Sequence, residues 1–274
     1  MRDSDKSKNL AVRPLKNIDG GFLVWKELGE TPLETLQRVR EQEQLGDIKM
    51  TYAGRLDPAA EGELLVLVGE ACKQKDDFLG RDKTYQFEVL FGLTTDTLDL
   101  LGIVNDKVSD DTLYDISYKN EVDISEKDID QVIPGLVGKQ DWPYPAYCSK
   151  TFEGQAMWEY ARQDKYEELL KLGLVPKNDF EIYDISYKNK KTINGSELIS
   201  HVQQLINKVS GDFRQSEIMA SWEQSVKLER DYQILKFETR VSSGTYVRQI
   251  AEQFGKSLLQ PTTTFSITRT KIHL

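Results

Sequence analysis

The chain has 274 residues, with 36 lysines and arginines against 45 aspartates and glutamates, and a net charge of −9. That length can bury a sizeable core, while the acidic balance argues against indiscriminate nucleic-acid binding. Two cysteines, Cys72 and Cys148, and two histidines, His201 and His273, are too scattered for a disulfide framework or a metal site; a reduced, cytoplasmic setting with no metal is expected.

Residues 1–9 are charged and polar, without the apolar core of a signal peptide, and no run approaches the length of a membrane span. Residues 1–19 therefore read as a polar extension. Gly20-Gly21 precede Phe22-Leu23-Val24-Trp25, a short strand ending at Lys26. A helix start follows. Thr31 can cap, Pro32 suits the first helical position, and Glu34 completes a capping box ahead of Leu33, Leu36 and Val39 at helical spacing.

The next stretch carries the candidate chemistry. A polar turn, Tyr52-Ala53-Gly54-Arg55-Leu56-Asp57-Pro58, leads through Gly62 into the apolar run Leu64-Leu65-Val66-Leu67-Val68, which reads as a buried strand. Proline after Asp57 disfavours helical backbone at the aspartate, so its carboxylate projects from a stiff loop beside a sheet. Such a carboxylate can be a nucleophile; aspartate before proline is also ordinary turn chemistry, and Gly54 and Gly62 also serve backbone angles.

Lys83-Thr84-Tyr85 opens a second strand through Gly92, with Tyr85, Phe87, Val89 and Phe91 on one face. Residues 105–140 are polar and acidic, with weak helical character around 125–133. From Lys107 to Asp130 eight acids stand against three lysines, so that segment should point away from any RNA. The heptapeptide Tyr-Asp-Ile-Ser-Tyr-Lys-Asn occurs at 114–120 and again at 183–189, which reads as two similar sheet-edge strands. Trp142-Pro143-Tyr144-Pro145-Ala146-Tyr147 forms a stiff aromatic loop, followed by Cys148, Ser149, Lys150, Gly154 and the helical word Trp158-Glu159-Tyr160-Ala161-Arg162.

Between 195 and 209 Leu198, Val202, Leu205, Ile206 and Val209 share a helical face, with Ser196 as the expected cap and His201 without a role. A strand over 234–241 ends in Ser242-Ser243-Gly244-Thr245-Tyr246-Val247-Arg248, and a helix then buries Val247, Ile250, Ala251, Phe254 and Leu258. Arg248 lies in the first turn, where the helix dipole favours anions, so an acidic partner elsewhere is expected. From Arg240 to Leu274 five basic residues face one acid, a local balance of +4 that screening would confine to one face.

Arg55-Leu56-Asp57-Pro58 with Gly62 resembles the catalytic loop of pseudouridine synthases. Three further segments follow in order: Lys83-Thr84-Tyr85 with Gly92-Leu93-Thr94-Thr95-Asp96-Thr97, the proline and tyrosine loop, and Gly244-Thr245-Tyr246-Val247-Arg248. Together they resemble the TruB family, which modifies a uridine in the T-loop of transfer RNA. The resemblance runs from about Gly20 to Lys271. Lys26, Gly29 and Thr31 also match, whereas Glu27 stands where the family usually has proline, Tyr52 where it has histidine, and Lys150 one place early.

The resemblance implies an α+β fold, a largely antiparallel mixed sheet with flanking helices and a central RNA-binding cleft. It implies one catalytic domain over 20–274, with the acidic insertion around 105–140; many members of the family continue into an RNA-binding PUA domain, and none is expected here. Asp57 would be the nucleophile, Arg248 its partner, and Tyr85 the base that also stacks on the uracil. Tyr246 would share the stacking, Tyr147 would belong to the substrate loop, Ile267 would contact the base, and Tyr52 and Arg55 would replace the extruded uridine. Isomerisation without redox change needs no cofactor, so none is expected. The expected partner is transfer RNA, met by a cytoplasmic monomer with no obligatory protein partner and no membrane association. Three alternatives stay open: a catalytically silent RNA-binding or RNA-folding protein on this scaffold, a ribosomal-RNA synthase sharing Arg55-Leu56-Asp57, and a retaining glycoside hydrolase pairing Asp57 with Glu61 or Glu63 at about 5 Å.

Overall fold

A computed structural model describes residues 16–18, 20–105 and 123–274. Strand β1 (Lys16–Ile18) turns into β2 (Gly21–Lys26), and α1 (Pro32–Gln42) begins with the expected capping box. There Glu34 N donates to Thr31 Oγ1 at 3.2 Å and Thr31 N to Glu34 Oε2 at 2.6 Å. Strands β3 (Met50–Ala53) and β4 (Ala60–Val68) flank the Asp57 loop. A 3-10 turn (Gly69–Gln74) and α2 (Lys75–Leu79) lead to β5 (Lys83–Phe91). Then come α3 (Glu126–Leu136), β6 (Gly138–Pro143), β7 (Thr151–Phe152), β8 (Gln155–Ala156), α4 (Met157–Arg162) and α5 (Tyr166–Lys171). The C-terminal half holds β9 (Lys177–Asn194), α6 (Gly195–Ile206), α7 (Gln215–Ser225), β10 (Asp231–Val241), α8 (Val247–Ser257) and β11 (Thr262–Ile272).

Among the described residues, nine strands make one sheet in the order β1-β2-β4-β11-β5-β10-β9-β6, with β3 beside β4. The β4–β11 ladder is parallel and its neighbours are antiparallel, which is the expected largely antiparallel mixed sheet. Alternation along the strands sends side chains to opposite faces. On one face Phe87, Val89, Leu235 and Phe237 meet α3 and α8 through Ile129, Val132, Ile250 and Phe254. On the other, Leu90, Ile234 and Tyr232 meet α6 and α7 through Leu198, Val202 and Trp222. The cleft is lined by strand residues Tyr85, Ile267 and Arg269 together with the Asp57 loop and the loops after β5 and β10.

Several details depart from the expected pattern. Asn194, not Ser196, caps α6: its side chain accepts from Ser196 N at 3.1 Å. Helix α7 was not evident in the sequence, because its apolar residues are few; Ile218 and Trp222 anchor it, with Trp222 Nε1 donating to Gly102 O at 3.0 Å. Residues 126–143 are part of the fold: α3 buries Ile129, Val132 and Leu136, and β6 pairs with β9. The second heptapeptide copy lies in β9, where β10 pairs with it and β6 reaches only as far as Ile182. The first copy, like residues 1–15, lies outside the described residues.

Phe237 ties the sheet to α8. It is the cross-strand partner of Phe87, stacks on it at 5.4 Å between centroids, and touches the Phe254 ring at 5.0 Å. Phe237→Ala should therefore lower unfolding free energy by about 3–5 kcal/mol, read as a shifted urea midpoint.

Candidate active site

The Asp57 loop is stiff because each part of it is tied down. Pro58 O accepts from Gly29 N at 2.9 Å, and Asp57 O from Ala60 N at 3.0 Å. The buried Lys26 ammonium donates to Ala60 O at 2.6 Å, and Arg269 donates to Gly54 O at 3.0 Å and Arg55 O at 3.3 Å. Burial pushes the Lys26 ammonium down to about 8. Asp57 itself projects from this frame with its side chain 36% exposed.

Its partner is Arg248, in the first turn of α8 and 3% exposed. Arg248 Nε lies 2.9 Å from Asp57 Oδ2 as an ion pair whose geometry falls short of an aligned hydrogen bond. The guanidinium's directed bonds go elsewhere, to Thr97 O through Nη1 and to Tyr147 O at 3.0 Å through Nη2. Asp57 is thus held by charge while its lone pairs remain open to the cleft.

A second carboxylate stands behind the pair. Asp99 Oδ2 is 3.8 Å from Arg248 Nε, and Asp99 Oδ1 accepts from the Thr97 hydroxyl at 2.7 Å and from Leu101 N at 3.0 Å. Burial pushes Asp99 up to about 6, against the opposing pull of Arg248. Sequence reading missed Asp99. The available signal was a second aspartate three residues after Asp96, in a loop bounded by Gly92 and Gly102.

All eight residues singled out by the sequence, Tyr52, Arg55, Asp57, Tyr85, Tyr147, Tyr246, Arg248 and Ile267, line one cavity of about 710 Å³. Tyr85 comes from β5 and Ile267 from β11, both nearly buried. Tyr246 meets the Tyr144 ring edge-on at 6.0 Å, and its hydroxyl pairs with the Cys148 thiol; burial raises both groups, so both stay protonated at neutral pH. Tyr147 packs under Arg214, whose guanidinium carbon is 4.7 Å from the ring and whose Nη1 is 2.7 Å from Asp96 Oδ2. Arg214, from the α6–α7 loop, is a second cleft residue that the sequence did not reveal. At the mouth, Arg55 Nη2 donates to the Tyr52 hydroxyl at 3.3 Å, and Lys75 Nζ sits 5.5 Å from the centre of the Tyr52 ring.

Other candidates do not enter the cavity. Glu61 and Glu63 are absent from its lining, and Glu63 Oε2 instead accepts from Ile272 N at 2.7 Å. The carboxylate that does approach the Asp57–Arg248 pair is Asp99, so the glycosidase pairing with Glu61 or Glu63 loses its basis. Lys150 stands over the Tyr144 ring at 5.2 Å, outside the cavity, and His201 stacks on Phe265 at 4.5 Å. Among the described residues no three His, Cys, Asp or Glu side chains gather as a metal site.

The raised Asp99 has a testable consequence. The folded chain holds this proton more tightly than the unfolded one, so Asp99's contribution to stability falls as pH rises from 3.8 to about 6. Asp99→Asn removes that dependence. Its unfolding free energy relative to wild type should climb by roughly 2–3 kcal/mol across the same window, measured by urea titration at stepped pH.

Comparison with known proteins agrees with this geometry. A sequence model described as TruB family pseudouridylate synthase (N terminal domain) matches residues 42–193. The chain is 28% identical over 254 residues to "tRNA pseudouridine synthase B" of Caldicellulosiruptor saccharolyticus, covering 93% of this chain and 67% of the relative. The protein of the same name from Endomicrobium trichonymphae is 27% identical, with 94% of this chain and 86% of the relative covered. That from Aquifex aeolicus is 32% identical, over 56% of this chain and 48% of the relative. The chain thus spans between about half and most of the length of these relatives. Among solved structures, a chain of "Crystal Structure of a Cbf5-Nop10-Gar1 Complex" shares the fold, with a TM-score of 0.51 at 16% identity over 90% of this chain and 47% of that one. Since the matched region covers more than half of the sequence and contains the Asp57 loop and Tyr85, the chain belongs to the TruB family of pseudouridylate synthases.

Proposed function

We propose that the chain converts uridine to pseudouridine in transfer RNA, at the T-loop uridine, with Asp57 as the nucleophile. The observation that carries this reading is the 2.9 Å ion pair between Asp57 and buried Arg248 inside a cleft that Tyr52, Arg55, Tyr85, Tyr147, Tyr246 and Ile267 also line. The relatives named tRNA pseudouridine synthase B support the choice of RNA.

The reaction breaks the N1 to C1′ bond, turns the freed uracil and joins C5 to C1′; the proton lost from C5 is balanced by one gained at N1. Atoms and electrons balance without an added reagent. An ionised carboxylate starts it, by attacking sugar or base or by taking a sugar proton, and the ion pair with Arg248 aims the Asp57 side chain. Of the two tyrosines expected to stack on the base, Tyr85 and Tyr246, the Tyr246 hydroxyl is engaged by Cys148 and held protonated by burial, so this reading assigns the C5 proton to Tyr85. Ile267 and the Tyr85 ring would enclose the detached base, whose retention the isomerisation requires.

The target must leave its stack at a cost of about a few kcal/mol. Tyr52, flanked by Arg55 and Lys75, would fill the vacancy, its ring stacking on the neighbouring bases while the two cations meet phosphates. The same reading makes the protein a cytoplasmic monomer acting without a protein partner. Among the described residues no helix is long and apolar enough to cross a membrane.

Unmodified transfer RNA incubated with the purified protein should gain pseudouridine at the T-loop uridine. Asp57→Ala should lower the single-turnover rate by at least roughly 10³-fold, with RNA affinity kept within about threefold. Product at a ribosomal-RNA site instead would transfer the chemistry to another substrate, and RNA binding without any product would favour the silent scaffold. Tyr52→Ala should slow single turnover about tenfold or more on folded transfer RNA and much less on an unstructured oligonucleotide, because only the former has a stack to refill.

A further inference from the structure

Arg269, in β11, is 1% exposed and among the largest fully buried side chains. Its donors all go to backbone carbonyls: Nε to Glu63 O at 2.6 Å, Nη2 to Gly54 O at 3.0 Å and Nη1 to Arg55 O at 3.3 Å. Among the described residues it makes no ion pair with a carboxylate. Burying a permanent cation against neutral acceptors is expensive compared with an apolar side chain of the same shape. The arrangement needs a reason beyond packing, and the geometry supplies one.

The planar fork reaches strand β4 with one edge and the catalytic loop with the other, at carbonyls two and three residues ahead of Asp57. Gly62, with φ +127°, lets β4 and β11 approach closely, since a Cβ there would lie 2.3 Å from the Arg269 backbone oxygen; Gly54, with φ +82°, faces the guanidinium, where a Cβ would stand in ordinary contact with Nη1 at 3.5 Å. Since Arg269 is paired in register with both Gly62 and Tyr85, one residue links the loop bearing the carboxylate to the strand bearing the tyrosine. Its charge also reaches the cleft floor, where it helps to lower the neighbouring Lys83 ammonium to about 8 after the larger effect of burial.

We propose that Arg269 is a positioning residue for the isomerisation: its three-carbonyl fork fixes the backbone of residues 54–57, and so fixes where the Asp57 carboxylate meets the substrate. This rests on the proposed function. Lysine cannot reproduce the fork, because one ammonium cannot satisfy three carbonyls in a plane.

The test compares Arg269→Lys and Arg269→Gln with wild type in three measurements: single-turnover pseudouridine formation in transfer RNA, transfer-RNA affinity, and amide hydrogen exchange over residues 54–60. Arg269→Lys should lose about 10²-fold in single-turnover rate, the scale expected for a misplacement near 1 Å. Affinity should stay within about threefold, and exchange in the loop should speed up while exchange in α6 and α7 stays unchanged. Partial recovery of the rate in Arg269→Ala by added methylguanidinium would support the fork directly. A lysine variant with wild-type rate, a weakened affinity at unchanged rate, or unchanged loop exchange would each overturn the proposal. If Arg269→Lys does not fold, Arg269→Gln is judged by the same readouts, and failure of both to fold would make Arg269 a scaffold residue and overturn it. If wild type forms no pseudouridine, the functional reading fails on its own, and the exchange data still decide whether Arg269 clamps the loop.

Discussion

A guanidinium with 3% of its surface exposed has to be surrounded by acceptors, and the cleft of this protein is assembled around that requirement. Arg248 draws in Asp57 from the β3–β4 loop, Thr97 and Asp99 from the loop after β5, and Tyr147 from the loop after β6. Three segments far apart in sequence thus converge on one side chain. Removing Arg248 would strand Asp99 as a buried, unpaired carboxylate, so the arginine is tied to stability as well as to chemistry.

The distribution of charge resolves the apparent conflict between an acidic protein and an RNA substrate. The whole chain carries −9, yet Lys26, Lys83, Arg248 and Arg269 are buried around the Asp57 loop, and Arg55 and Lys75 stand against Tyr52. Three of the four buried cations, Lys26, Lys83 and Arg269, spend their hydrogen bonds on backbone carbonyls, so among the described residues their charge is not cancelled by a carboxylate in contact. At a screening length of about 8 Å, an RNA phosphate entering the cleft responds to these groups far more than to acids on distant surfaces.

Much of this was legible in the sequence, for identifiable reasons. Strands β4 and β5 announced themselves through apolar runs and alternation, α1 through its capping box, and the eight cleft residues through words whose spacing matched a known family. What stayed hidden lacked a periodic or local signature. Asp99 acts from a loop, where an acid gives no sign of being buried. Arg214 reaches the cleft from a turn before a helix whose apolar face is little more than Ile218 and Trp222. The cap of α6 was misplaced by two residues because Asn194 and Ser196 are both good capping residues and only geometry chooses between them. The role of Arg269 was invisible for a different reason: its partners are carbonyls, which every residue possesses.

The position of β11 also governs when the site can exist. This strand, residues 262–272, lies between β4 and β5 and joins what would otherwise be two separate groups of strands. A growing polypeptide can pair β2 with β4, and later β5 with β10, but the floor beneath the Asp57 loop is missing until residue 272 has left the ribosome. The half-sheets must wait with two unpaired inner edges, the kind of surface chaperones shield. A chain cut before β11 would lack Ile267 and Arg269, and with them both a wall of the cleft and the link between the Asp57 loop and β5.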